Sequence, residues 1–192
     1  MITGVEIKRK IVHMGSLAIP AGYLLFSKET VLSVILPLFL AFLLVDLLRQ
    51  VHPGIGRLFK RYFIGTVLRE RETNTLMGST YFLFSSVLVV FFFPKSIAVA
   101  SLLILILSDT AAAMVGKGIG KVPIFGGGKT LEGSLAFLVS SQLIVWIYPG
   151  LNHLWGAAAS IGATVIEVLP VKVDDNLTIP LIAGAIMFFG GG

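Results

Sequence analysis

Long apolar runs separated by short polar stretches dominate the chain, at positions 11–27, 30–48, 75–94, 96–115, 133–149, 153–169 and 177–190. A straight helix needs about 20 apolar residues to cross the hydrocarbon core of a bilayer. Most of these runs approach that length, so each predicts a membrane-spanning helix. The runs at 11–27, 133–149 and 153–169 are somewhat short, and the run at 177–190 is the weakest of the seven. Six helices is the alternative count. Pro20, Pro37, Gly162 and Pro180 fall inside runs, where a membrane helix tolerates them and can kink. The longest connection, 49–74, is basic. It predicts a helix lying in the membrane interface with Leu58, Phe59, Tyr62 and Phe63 toward lipid. The first run reads as a retained helix, because no small-residue cleavage site follows Tyr23–Leu24–Leu25 and His13 is foreign to a leader.

Composition agrees. Apolar residues make up 56% of the chain and charged residues 13%, and the mean hydropathy of +0.94 excludes an ordinary soluble domain. There is no cysteine, which removes disulfides and thiolate metal sites. The net charge of +5 is explained by membrane orientation and not by nucleic-acid binding. With the N-terminus in the cytoplasm, thirteen of the fifteen Lys and Arg residues fall on the inside and only Lys28 and Lys95 outside. This is a strong positive-inside bias. No repeat, low-complexity tract or separable soluble unit is evident. The expected fold is an all-α integral membrane protein, residues 1–192 forming one polytopic bundle of about seven transmembrane helices.

The polar residues that could carry chemistry collect on the same cytoplasmic side. Asp46 ends the second helix, Glu70, Glu72 and Asn74 precede the third, and Asp109 closes the fourth. Glu132 opens the fifth, while Glu167, Asp174, Asp175 and Asn176 bracket the last turn. A scaffold has no need to gather carboxylates at one face, whereas a cytoplasm-facing active site does. Between Asp109 and Gly133 lie a ladder of glycines and a lysine–glutamate pair. A carboxylate at the end of an apolar segment is costly and argues for a function. Glycines let backbone amides approach an anion, and lysine adds a point charge.

This stretch therefore reads as a phosphate and metal site. Asp109 is the leading Mg²⁺ ligand, since Mg²⁺ favours carboxylate and phosphate oxygens. Glu132 and Asp175 are further metal candidates, Glu132 also suiting the dipole of a helix start. Lys129 would hold a phosphate beside Thr130 and the amides of Gly126, Gly127 and Gly128, with Gly116, Gly120 and Gly133 completing the cradle. Asp175 and Asn176 sit at a helix start, where either could be a cap; Asp175 is a second metal ligand or the base for an acceptor hydroxyl. Asp46 is a further catalytic candidate, its competing partner being Arg49 one turn on. Glu72 and Asn74 are additional candidates. Arg9, Lys10 and His13 share a helical face and could meet nucleotide phosphates or lipid headgroups. A zinc site is not expected from His13, His52 and His153, which fall apart. Gly128–Lys129–Thr130 is not a Walker A loop, because its first glycine would be Pro123. The spacing of Gly116, Gly118 and Gly120 likewise fails the dinucleotide fingerprint.

The pattern Asp-x-x-Ala-x-x-x-Gly-x-x-x-Gly, eight residues, then Lys-Thr-x-Glu-Gly is met by Asp109, Ala112, Gly116, Gly120, Lys129, Thr130, Glu132 and Gly133. It resembles the CTP-binding loop of the dolichol kinase family, which includes polyprenol, phytol and CTP-dependent diacylglycerol kinases. Arg9–Lys10 with His13, Glu72 with Gly78–Ser79–Thr80–Tyr81, and Asp175–Asn176–Leu177–Thr178–Ile179–Pro180 extend the likeness over about residues 5–181. The resemblance implies transfer of the γ-phosphate of CTP, with Mg²⁺, to the hydroxyl of a membrane lipid alcohol: a polyprenol, phytol or geranylgeraniol, or diacylglycerol. The motif chemistry alone would serve ATP as well. A cytidylyltransferase making a CDP-lipid is the alternative, although the chain lacks the acidic Asp-Arg-x-x-Asp signature of those synthases. A small transporter is disfavoured by the missing inverted repeat. The oligomeric state is open, a homodimer included.

Overall fold

A computed structural model describes residues 4–63, 72, 75–125, 128–170 and 173–191. Its elements are α1 (Gly4–Gly15), α2 (Ala18–Leu25), α3 (Lys28–Val51), α4 (Pro53–Phe63), α5 (Gly78–Phe92) and α6 (Lys95–Leu103). A π-helical turn (Ile104–Ser108) leads into α7 (Asp109–Gly118). A two-strand hairpin, β1 (Pro123–Ile124) and β2 (Lys129–Thr130), is followed by α8 (Leu131–Ile147), α9 (His153–Val168) and α10 (Asp175–Gly191).

Six of the seven apolar runs coincide with helices to within a few residues. The first does not, because it is broken at Ser16–Leu17 into α1 and α2. Pro20 explains the break: it has no N–H to donate and its ring collides with the carbonyl four residues back, that of Ser16. At a rise of about 1.5 Å per residue α2 extends only about 12 Å, so the first run is a jointed pair and not one rod. The long connection does form a helix, α4, and none of its residues is buried; the rest of that connection, 64–71 and 73–74, lies outside the described residues.

α6, the π turn and α7 form one continuous rod, Lys95–Gly118, with 56% of its apolar window buried. Ala98–Ala100, Leu102 and Ile104–Ile106 are fully enclosed and make the rod the axis of the bundle. Around it stand α2, α5, α8 and α10, with α3 against α5 and α9 between α8 and α10. The 24-residue α3 is as apolar as the rod, yet only 17% of its window is buried. It presents Val34, Leu36, Leu40, Leu44 and Leu47 outward. Inside, meanwhile, the helices bury Thr80, Ser85, Ser86, Ser101, Ser141 and Ser160. Apolar outside with small and polar inside is the arrangement favoured where the solvent is lipid. Small residues permit the close approaches: a Cβ on Gly156 would stand 2.1 Å from a Val145 methyl. Together these features mark a membrane protein.

The two ends of the bundle differ. At one, Lys95 donates to the carbonyls of Leu24 (3.3 Å) and Phe26 (3.0 Å), and Lys28 to that of Phe91 (2.5 Å). At the other, the ends of α1, α3, α7 and α9 meet the starts of α5, α8 and α10, and the ionisable side chains converge.

Candidate active site

Asp109 opens α7 directly after the π turn. A π turn adds a residue to the helical path and re-aims the side chains beyond it, and such turns recur at functional sites. Lys10 of α1 donates to the Asp109 carboxylate (2.6 Å) and to its main-chain carbonyl (3.1 Å). One turn further along α1, His13 Nε2 lies 3.5 Å from the same carboxylate oxygen. The shared face of Lys10 and His13 predicted from the sequence thus exists and addresses Asp109; Arg9 lines the adjoining cavity.

Lys129 is presented by the hairpin, in which Pro123 pairs with Thr130 and Ile124 with Lys129. The sequence pattern predicts no strand here. The hairpin does not restore the Walker reading, because Pro123 stands where the first glycine would be and Lys129 and Thr130 lie in its second strand instead of opening the helix. Gly128, at φ +79° in its turn, adopts a conformation costly for other residues. Gly126 and Gly127 lie outside the described residues, as does Asn74. The Lys129 ammonium donates to the main-chain carbonyl of Glu167 and to the Asp175 carboxylate (3.2 Å), with Glu167 Oε1 at 3.4 Å. Glu167 is buried and also accepts from Ser134 (3.2 Å). Sequence reasoning groups Glu167 with the cytoplasmic carboxylates but gives it no role in the site. Its position inside an apolar run is the signal that singles it out.

The helix-start question at 174–176 resolves onto a third residue. Asp174 caps α10, accepting from the Asn176 amide (3.0 Å) and side chain (2.7 Å). Asp175 is thereby released from capping and faces the site. It precedes the apolar run of α10, and burial holds its carboxyl above the usual aspartate range while Lys129 pulls it back.

Several expected site residues have other work. Thr130 caps α8, accepting from the Gly133 amide (3.2 Å). A Cβ on Gly120 would stand 2.2 Å from the Gly116 carbonyl and 2.5 Å from Thr130 Oγ1, and one on Gly133 would stand 2.9 Å from the Ala112 carbonyl. The glycine ladder is therefore required for α7 to meet α8.

Two cavities share this end of the bundle. The larger, about 400 Å³, is walled by Lys10, Lys117, Lys129, Thr130, Asp109, Asp175, Glu167 and small residues. The smaller, about 150 Å³, lies among α1, the start of α5 and the start of α10. Lys10, Asp109 and Asp175 border both. Gly116 and Gly133 reach the wall of the larger cavity, whereas Gly120 does not.

Glu132 stands outside both cavities and accepts from the amides of Lys121 (3.0 Å) and Val122 (3.3 Å). Backbone hydrogen bonds, first its own and then that of Lys121, hold its carboxyl below the usual range. It ties down the loop after α7, a geometry that does not support the metal role expected for it.

Asp46 is also apart from the cavities. It is fully buried, and it accepts from Arg49 (2.6 Å), the Met77 amide (2.9 Å) and Thr80 (2.5 Å). Arg49 in turn donates to the carbonyls of Glu72 (2.8 Å) and Thr75 (2.5 Å). The pair clamps the entry to α5 onto α3, so Asp46 has a structural task of its own, apart from the residues that line the cavities. Glu72 accepts from the Gly78 amide (3.1 Å) and lines the smaller cavity.

Among the described residues no three His, Asp or Glu side chains form a metal cage. Mg²⁺, however, is ordinarily held by one or two carboxylates plus substrate phosphates, and the half-buried Asp109 and Asp175 supply that donor set.

An all-helical, outwardly apolar protein with lysines and carboxylates lining a double cavity at one end belongs to the class of membrane-embedded proteins. The chain belongs to the polyprenol kinase family of CTP-dependent lipid kinases. It is 32% identical over 160 residues to CTP-dependent diacylglycerol kinase 1 of Schizosaccharomyces pombe, covering 74% of this chain and 73% of that one. It is 31% identical over 165 residues to a probable chloroplastic phytol kinase 1 of Glycine max, covering 76% and 55%. An uncharacterised protein of Rickettsia prowazekii is 32% identical over 186 residues, covering 92% and 90%. No family model matches the chain, and no solved structure does.

Proposed function

We propose that this protein is a CTP-dependent lipid alcohol kinase working at the cytoplasmic face of a membrane, with its N-terminus in the cytoplasm and about seven apolar helical segments in the bilayer. The observation that carries the reading is the larger cavity: three lysines and three carboxylates around glycine and alanine walls, at one end of an apolar helical body. Phosphoryl transfer asks a protein mainly for charge neutralisation and alignment. Lys129 and Lys10 meet the triphosphate oxygens, exchanging their carboxylate partners for phosphate. The bend at Gly128 and the small side chains of Ala112, Ala113 and Gly116 leave the phosphates room to approach. Asp109 would hold Mg²⁺, which neutralises charge on the phosphates when bound.

The acceptor hydroxyl gives its proton to Asp175, whose raised pKa suits a base. The hydroxyl oxygen bonds to the γ-phosphorus as the bond from that phosphorus to the bridging oxygen breaks. CDP leaves, and the phosphate remains on the lipid. Glu167 and Ser134 act behind Lys129 and position its ammonium.

The test compares CTP labelled at the γ-phosphate with CTP labelled at the α-phosphate, using purified protein in detergent with Mg²⁺. The acceptors are diacylglycerol, geranylgeraniol, phytol, a polyprenol and their phosphates. Label reaching lipid alcohol from the γ position alone is the expected result. Transfer from the α position to a lipid phosphate would make the protein a cytidylyltransferase and overturn the kinase reading. The same panel with ATP decides the donor.

A further inference from the structure

Both cavities are strongly charged, the smaller carrying Arg9, His13, Glu72 and Asp174 besides the shared residues, and they differ in size and in their apolar side chains. Among the described residues, the wall of the larger has no apolar side chain bigger than alanine, and it carries Lys117 and Lys129 besides the shared Lys10. The smaller includes the buried Phe82 and also Val12, which is 57% exposed on the outer surface of α1. Next to Val12, Ile11 is 66% exposed, so this cavity communicates with the apolar, lipid-facing surface. Its polar wall contains hydroxyls on both sides, Ser16 at the joint between α1 and α2 and Ser79 in the first turn of α5.

In-line displacement places the incoming oxygen and the leaving oxygen on opposite sides of the phosphorus. Among the described residues, the side chains bordering both cavities are Lys10, Asp109 and Asp175, and they stand where such a transfer would occur. A volume of about 150 Å³ suits the hydroxyl end of a lipid and is cramped for a nucleoside triphosphate.

We infer that the smaller cavity is the acceptor subsite, entered from the bilayer past Val12, with Ser79 and Phe82 setting which lipid alcohol fits. The inference rests on the proposed kinase activity and adds to it a location and specificity-determining residues. The pocket fills at Ser79, which is partly exposed within it; the hydroxyl end of the lipid lies between Ser79 and the shared carboxylates, and its chain runs out along α1.

Ser79→Leu narrows this cavity, and Ala113→Leu narrows the other. The expected split is a KM for lipid alcohol raised about tenfold or more by Ser79→Leu with the KM for CTP within twofold, and the reverse for Ala113→Leu. The melting temperature of Ser79→Leu in detergent, together with its KM for CTP, controls for misfolding; if that temperature falls, Ser79→Val, which adds less bulk, takes its place with a smaller rise in the lipid KM expected. An unchanged lipid KM in Ser79→Leu, or a rise in its KM for CTP instead, would overturn the assignment while leaving the kinase intact. If the unsubstituted protein moves no γ-label to any alcohol, the kinase reading fails first and the subsite falls with it.

Discussion

At the scale of single residues, the site is a set of competing charge pairs. Lys10 rests on Asp109, and Lys129 on Asp175 and Glu167. Each lysine is held where a phosphate can take it over. Asp109→Asn and Lys129→Ala should each lower transfer by about 10³-fold or more in protein that remains folded in detergent; near-normal turnover of either would remove that residue from the mechanism. Asp175 gives a second handle. Its folded-state pKa is raised, chiefly by burial. Its contribution to stability is therefore full below the unfolded aspartate pKa and is lost as pH rises through the folded value. Asp175→Asn should be inactive yet melt at least as high as the unsubstituted protein at neutral pH, higher by about 2–4 °C for each kcal/mol relieved. The difference should close as pH falls below the ordinary aspartate range. Melting curves across pH decide this, and a large loss of stability at neutral pH would mean that pairing with Lys129 outweighs burial. The sequence exposes Asp109, Lys129 and Asp175 because ionisable residues beside apolar runs stand out. It cannot separate them from Glu132, whose partners are main-chain amides that no spacing rule reveals.

At the scale of elements, apolar runs locate the helices but not their joints. The break at Ser16–Leu17 is legible in Pro20; the π turn at Ile104–Ser108 is not legible at all, because every residue in it is a good fit for a buried α-helix. The hairpin at 123–130 is hidden by its length, two residues per strand carrying no periodicity. The Asp46–Arg49 clamp is the element-level device with the largest consequence. It joins α3 to the segment that delivers Glu72, Gly78 and Ser79 to the smaller cavity. Asp46→Ala leaves a buried guanidinium without its carboxylate, and loss of one partner of a buried pair costs about 3–5 kcal/mol. The expected outcome is a strongly lowered melting temperature in detergent, with residual activity at low temperature showing normal dependence on CTP. A stable but catalytically dead Asp46→Ala protein would return Asp46 to the chemistry.

At the scale of the whole molecule, two independent gradients determine where the site can face. One runs from inside to outside: polar hydroxyls are buried and aliphatic side chains exposed, so the body requires lipid around it. The other runs from end to end: the site-side loops hold most of the lysines and arginines, and Lys28 and Lys95 are bound to carbonyls at the opposite end. By the positive-inside rule the second gradient predicts the proposed orientation, with the larger cavity toward the cytoplasm, where nucleotide is found. The absence of cysteine makes this directly measurable, since an introduced thiol has no background. Lys121→Cys lies on an exposed loop at the site end and Pro149→Cys on an exposed turn at the other. In sealed vesicles of known sidedness, a membrane-impermeant maleimide should label position 121 only from the cytoplasmic side and position 149 only from the opposite side. The inverted pattern would put the nucleotide cavity on the face without nucleotide and rule out the orientation on which the proposed reaction depends. Labelling of both positions from one side would leave an even number of crossings between them, against the single crossing by α8 that seven helices require.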